Sequence, residues 1–474
     1  MDDQTRTPAT APTRPAKVGL LINRNFALLF FGGTISIVGD YVFNTTLVLW
    51  IAAVLLKGQA IAPLAVSGGL VAAALPVLLI GPAAGVFVDR WDKQRTMLAM
   101  FLVQAVAVVL LLFLAGLVRL PLPASLNMLP FAQGSHPPVS WTLGAIYAVV
   151  FVVYACNQFA NPAAIALIGD VVEEPLRPRA TGLDQVAFAL AAIIGPPVAA
   201  PLLFSFGVQW AVVIDALSFV VAYVVVLAMR APKSASSVAP GQRGHFLREL
   251  FAGIRFFAGN RVLRTLGLVG SLVFLAAGAL NALDFFFWVG NVHGPVQLYG
   301  FVGGALAFGV LLGAALASAF VPRIGLERTV WLTFVALGVL VLVWSRMTAY
   351  VPALVVIFLV GIPQAALNVA ISPLMLQVTP RELVGRVTAI LVPLVNISNL
   401  ISLALAGYLA STVLAGFNTD VLGVHFGPID TIFGVAGILC IIGGIYALMN
   451  LRAAPKAAAG GGGTAPTPAG SPVG

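Results

Sequence analysis

The chain has 474 residues, of which 60% are hydrophobic and only 9% charged, with a formal charge of +9 and a mean hydropathy of +1.04. Soluble domains carry roughly 25% charged residues, so a water-solvated fold is excluded for most of this chain. Its excess of cations has to be explained by a membrane surface before nucleic acid is considered.

Residues 1–24 read as a disordered tail: they open on acids, turn Thr/Pro/Ala-rich and lack the apolar core of a signal peptide. Twelve apolar runs follow, each near the roughly 20 residues that a bilayer requires. They lie at 26–55, 61–88, 96–118, 142–168, 181–204, 209–229, 265–288, 297–321, 330–344, 351–378, 387–413 and 431–451. An even number puts both termini on one side. With that side taken as cytoplasmic, 22 of the 25 Lys and Arg are inside and only Lys57, Arg119 and Arg346 outside. The positive-inside rule therefore predicts cytoplasmic termini in a plasma membrane. The charge needs no nucleic-acid partner.

The stretch between runs two and three, Gly85-Val-Phe-Val-Asp89-Arg90-Trp-Asp92-Lys93-Gln-Arg95-Thr96, has a degraded copy 233 residues later. The copy reads Ser318-Ala-Phe-Val-Pro322-Arg323-Ile-Gly-Leu-Glu327-Arg328-Thr329. A second echo joins Asn23-Arg24 to Asn260-Arg261, and a third joins Gln158 and Asn161 to Gln364 and Asn368. The expected architecture is an all-α membrane protein, twelve helices in two parallel six-helix halves. The halves are 25–229 and 265–451, the linker 230–264 and a disordered tail 452–474. Within the linker, Phe246, Leu247, Leu250, Phe251 and Ile254 have helical spacing, which predicts an amphipathic surface helix or one that binds a partner.

The first loop copy resembles the G-x-x-x-D-R-x-x-R/K signature of major facilitator superfamily transporters. The resemblance covers 20–451 and implies alternating access around a small-molecule site between the halves. It also implies that Asp89 meets the start of the eleventh helix, near Gly385-Arg386-Val387, and helps close the inner side. A carboxylate at a helix N-terminus is worth about 0.3–1 kcal/mol. Gly85 is expected to permit close helix approach. Arg90 and Arg95 are expected to pair with Asp170, Glu173 or Glu174, while Lys93 is assigned to the positive-inside rule alone. Arg323 and Arg328 complete the second copy, in which Pro322 replaces the acid and the cap is lost.

Gly182, Gly195 and Pro196, with Ala191, Ala199 and Ala200, partly match the fifth-helix pattern of antiporters in that superfamily. Small-residue packing alone would account for the same letters. The fourth run lacks the arginine of many drug:proton antiporters, which fits a macrolide-efflux-like branch better. The resemblance thus implies proton-coupled efflux of hydrophobic neutral or cationic compounds, with multidrug resistance as its consequence. Export of a siderophore or lipid-like metabolite is the alternative, and a non-transporting sensor or scaffold the reading from another class.

A carboxylate at the bilayer centre costs roughly 2.5–3.5 kcal/mol on insertion scales. Asp40, Asp215 and Asp284 are the three acids well inside these runs. Asp40 is expected to carry a proton or contact substrate, or else to be hydrogen-bonded to Tyr41, Asn44 or another helix. Asp284 reads as an outer gate, a cation contact or an interfacial residue reaching water, and Asp215 as structural. Asn157, Gln158, Asn161, Gln364 and Asn368 can offer neutral hydrogen bonds. No Lys or Arg falls inside a run, which argues against an anionic substrate. No H-E-x-x-H, G-x-S-x-G or phosphate-binding loop occurs, and no His or Cys pair has metal spacing. An enzyme, a cofactor and a metal are therefore not expected, and the transporter is expected to act as a monomer.

Overall fold

The computed structural model describes residues 22–118, 137–230, 246–421 and 424–451. The tails and the first part of the linker lie outside them. Twelve helices among the described residues are long and apolar enough to cross a membrane, and their bounds differ from the sequence expectation by a few residues. The first half holds α1 Arg24–Leu49, α2 Ala62–Leu79, α3 Gly81–Val88, α4 Lys93–Leu114, α5 Val139–Val171, α6 Arg177–Phe206 and α7 Val208–Leu227. The linker forms α8 Phe246–Gly259, and the second half holds α9 Arg261–Gly290, α10 Gly300–Ile324, α11 Leu326–Trp344, α12 Tyr350–Val378, α13 Val384–Tyr408 and α14 Pro428–Leu451. A two-stranded hairpin, β1 Thr419–Val421 and β2 Val424–Phe426, precedes α14.

The second apolar run is broken into α2 and α3 at Ile80. Pro82 has no N–H to offer the carbonyl four residues back, and its ring crowds that turn. Elsewhere the termini are satisfied by side chains. Asn23 accepts from the Phe26 N–H at 2.8 Å, and Asn260 accepts from Val262 and Leu263 at 2.9 and 3.2 Å. Each asparagine also donates to the last carbonyl of the fourth spanning helix of its own half, Val171 at 2.7 Å and Val378 at 3.4 Å. The Asn-Arg echo is thus a pair of N-caps that fasten equivalent helices.

The halves repeat one packing scheme. In the first, α1 packs on α6 and α7, α4 on α5 and α7, and α2 on α5. In the second, α9 packs on α13 and α14, α11 on α12 and α14, and α10 on α12. Each half buries its own apolar core. Across the halves, α2 meets α13 and α6 meets α10, two seams that the pseudo-symmetry exchanges. The linker helix α8 lies against α13 and α9.

The seams are tight on the face opposite the termini. Gly407 of α13 stands on Ser67 and Pro63 of α2, and Gly300 and Gly304 of α10 stand on the backbone of Pro196 and Ile193 in α6. A β-carbon at Gly304 would lie 2.9 Å from the Ile193 carbonyl oxygen, so only glycine lets the helices come this close. On the terminal face the helices part.

Candidate functional site

Between the halves, a chamber of about 450 Å³ is lined by Tyr41, Asn44, Asn281, Tyr299, Asn396 and Asn399 among apolar neighbours. Toward the termini it adjoins a vestibule of about 810 Å³, walled on one side by Gly81, Pro82 and Gln158 and on the other by Gly385, Arg386 and Thr388. Asn396 belongs to both. The space is therefore open on the terminal face and shut on the opposite face by the glycine seams.

The sequence expectation put neither Asn44 nor Asn281 among the amides offered to a guest, although the signal was present. The offset that carries Asn23 onto Asn260, 237 residues, also carries Asn44 onto Asn281. They are equivalent amides of the first helix of each half, and both line the chamber.

A further cavity of about 550 Å³ lies inside the first half, between α1, α4, α5 and α6. Its wall includes Asp40, Asn157, Asn161 and Asp184, with Tyr41 and Phe188 in edge contact at 5.7 Å between ring centroids. Asn157 faces Asp40 and accepts from Gln104 Nε2 at 2.7 Å. Asp40 and Asn157 are thus brought together as polar partners, and Asn161 joins them. Asp184 is an acid that the sequence reading did not count among those well inside a run, since it lies near the start of 181–204. Its helix begins at Arg177, so it sits two turns in.

Asp215 is fully buried on α7, where the Ser218 hydroxyl donates to its backbone carbonyl at 2.7 Å. Its side chain lies under Gly39 of α1: a β-carbon there would be 3.0 Å from Asp215 Oδ1. Neither carboxyl oxygen has a hydrogen-bond partner among the described residues. Asp284, one turn from Asn281, buries an unpartnered Oδ1 beside Tyr299. The residue as a whole is half-buried.

Several loop expectations need correction. Lys93, assigned to charge placement alone, makes the ion pair: its Nζ lies 2.7 Å from Asp170 Oδ2. Arg90 and Arg95 are exposed and make no ion pair with Asp170, Glu173 or Glu174. Asp92, not Asp89, caps a helix, accepting from the Arg95 N–H at 2.8 Å. Asp89 is exposed at the end of α3. Trp91 stacks on Phe159 at 6.0 Å and 20°, so the loop is braced to α5 within its own half. Gly85 faces open space, as does Gly182, so neither supports a close approach here. Gly195 does, against Tyr41, and Pro196 offers its backbone to Gly300.

In the second loop copy, Pro322 and Arg323 remain inside α10, and Gly325 with φ 91° turns the chain directly into α11. Arg323 and Arg328 are exposed. Gln158 lines the vestibule, whereas Gln364 is half-buried and Asn368 exposed, both outside the walls of these cavities. The expectation that no Lys or Arg falls inside a span also fails, because α13 starts early enough to include Arg386, which lines the vestibule.

The family model described as Major Facilitator Superfamily matches residues 29–342, more than half of the chain. The chain belongs to that superfamily. Superfamily membership makes it a multi-pass membrane transporter rather than an enzyme. It is 29% identical over 245 residues to macrolide efflux protein A of Enterococcus faecalis, covering 50% of this chain and 69% of the relative. The match to the protein of the same name in Streptococcus pyogenes spans 55% of that protein. It is 28% identical over 301 residues to the lysophospholipid transporter LplT of Citrobacter koseri, covering 62% of this chain and 71% of that one. Among solved structures, the nucleoside transporter NupG superimposes with a TM-score of 0.65 at 13% identity, over 90% of this chain and 99% of that one. That likeness bears on the fold alone.

Proposed function

We propose that the protein is a proton-driven exporter of hydrophobic neutral or cationic small molecules, with its terminal face in the cytoplasm of a bacterial plasma membrane. It works as a monomer by alternating access. The observation that carries this reading is the composition of the central chamber. Asn44, Asn281, Asn399, Tyr41 and Tyr299 supply neutral donors and acceptors within an apolar wall, the chemistry that holds a large uncharged guest without fixing one shape. Macrolide efflux protein A, the relative from E. faecalis, supports the same direction of transport. Asp40 stands beside the chamber, sharing Tyr41, Asn44 and Tyr154 with its wall, so its charge state can influence the guest.

In the terminal-open state the guest enters through the vestibule. Closing the vestibule brings the Gly81 wall to the Gly385 wall, and the α2–α13 and α6–α10 seams part on the other face. Asp89 then comes within reach of the α13 N-terminus. The test is a compound-panel efflux assay in a host lacking its own pumps, with and without a protonophore. Export that the protonophore abolishes supports the reading, and export that survives collapse of the gradient refutes proton drive.

Arg386 favours one other reading. A cation at the mouth of an apolar vestibule suits an amphiphile with an anionic head, and LplT is a named lysophospholipid transporter. Competition between a macrolide and a lysophospholipid, compared in the parent and in Arg386→Gln, separates the two: only the lipid should lose affinity.

A further inference from the structure

A second cavity between the halves, of about 420 Å³, lies beyond the central chamber toward the face opposite the termini. We propose that it is the release site for the guest, and that the ring pair Phe285–Tyr299 is the gate dividing it from the chamber. The release role rests on the export reading above, whereas the gate can be read without a guest.

The two cavities are walled by the same elements, about one turn apart. On α9, Asn281 lines the chamber, while Phe285 and Val289 line the outer cavity. Residues four apart share a face of a helix and lie about 6 Å apart along it, so one face of α9 leads from the first cavity to the second. The same hand-over occurs twice more. In the π-helical turn Trp50–Leu55 that ends the first span, Ile51 lines the chamber and Ala52 and Ala53 the outer cavity. Just before α10, Tyr299 lines the chamber and Val296 and Gln297 the outer cavity.

Where these walls meet, the Phe285 and Tyr299 rings stand edge to face, 5.2 Å between centroids and 88° apart. Phe286 makes a second edge contact with Phe285 at 5.4 Å. Phe285 is 5% exposed and packs into the apolar core of the first half, although its helix belongs to the second. The ring therefore crosses between the halves as a plug, and it must withdraw when they part on this face. Beyond the plug, Phe204 and Phe286 supply apolar faces and Lys57 is the charged residue of the wall. Such faces pass a hydrophobic guest outward, and the lysine disfavours the return of a cationic one. Gly290 also lines the cavity, and a β-carbon there would meet nothing within 4 Å. A large side chain at that position fits without disturbing the packing and occupies the cavity.

The test is labelling of Asn281→Cys by an impermeant methanethiosulfonate, in vesicles whose lumen encloses the termini. The native Cys156 and Cys440 are buried, and the chain without Asn281→Cys gives the blank. Adding Phe285→Ala should raise the labelling rate at least tenfold. Cross-linking between Gly81→Cys and Thr388→Cys should stay at its parent level, because the gate is removed without a change of state. Adding Gly290→Trp as well should return labelling to the rate of Asn281→Cys alone, because the path runs through the outer cavity. If Phe285→Ala does not fold, Tyr299→Ala removes the other ring and should act in the same way. No acceleration, acceleration with more vestibule cross-linking, or acceleration that survives Gly290→Trp would each overturn the gate. The release role is read separately: Gly290→Trp alone should slow efflux at least tenfold, and native efflux would refute it. Absence of any efflux in the panel assay would remove the release role and leave the gate to the labelling.

Discussion

Lys93 and Asp170 meet at 2.7 Å and join the start of α4 to the end of α5 on the terminal face. Their side chains are 21% and 24% exposed, so water and salt screen the pair and its net worth is about 1 kcal/mol or less. Lys93→Met should lower thermal stability by a few degrees at low salt and by less at 1 M salt. Thermal unfolding in detergent at the two ionic strengths checks this; equal losses would place the effect in packing.

The proposed role of Asp89 is in closure, and its side chain is exposed in the open state. Cysteines at Gly81 and Thr388, on opposite walls of the vestibule, should cross-link only when the vestibule closes. Asp89→Asn should cut cross-linking and transport several-fold while leaving membrane abundance unchanged. Normal efflux at normal abundance would remove Asp89 from the gate.

Gly304 is the place to bias the equilibrium the other way. A methyl there would sit 2.9 Å from the Ile193 carbonyl oxygen, and such overpacking costs about 1–3 kcal/mol. Because the cost falls only on the state with the opposite face shut, Gly304→Ala should move the population toward the state open on that face by about tenfold. Reactivity of a cysteine at Asn281 toward an impermeant thiol reagent reads the shift.

Asp40→Asn cannot release a proton. The expected outcome is loss of pH-driven uphill transport, with downhill exchange retained at a comparable rate. Selective loss of cationic guests, with neutral ones still driven, would instead make Asp40 a counter-charge.

Removing the Asn23 and Asn260 side chains should cost about 1 kcal/mol each, and the two losses should add, because the caps serve separate halves. Chemical denaturation of Asn23→Ala, Asn260→Ala and the double variant measures this.

The spans could be read from the chain because lipid permits no other solution for runs this apolar: every backbone polar group must be satisfied within the helix. The site was less legible because its decisive relations run between helices. Asp184 escaped notice because its run was taken to start at 181, which made it look terminal, whereas Arg177 already begins α6. Nothing local in the sequence says that Gly39 of another helix lies on Asp215. Along the loop, Arg90, Lys93 and Arg95 have equal charge, and only the direction in which α4 leaves the membrane selects Lys93 for Asp170. Gly85 and Gly195 are the same letter, yet one faces open space and the other Tyr41.

The two faces of the molecule close by different physics. The seams at Gly300, Gly304 and Gly407 bring backbone against backbone, and no ion pair among the described residues crosses them. Dispersion of that kind fades within an ångström of separation, so the seal has almost no partly open form and no charge to rehydrate as it parts. Its opening should be abrupt and nearly indifferent to salt. The terminal face, where Asp89, Arg90, Arg95 and Arg386 lie, is where ionic strength can set the pace of the cycle.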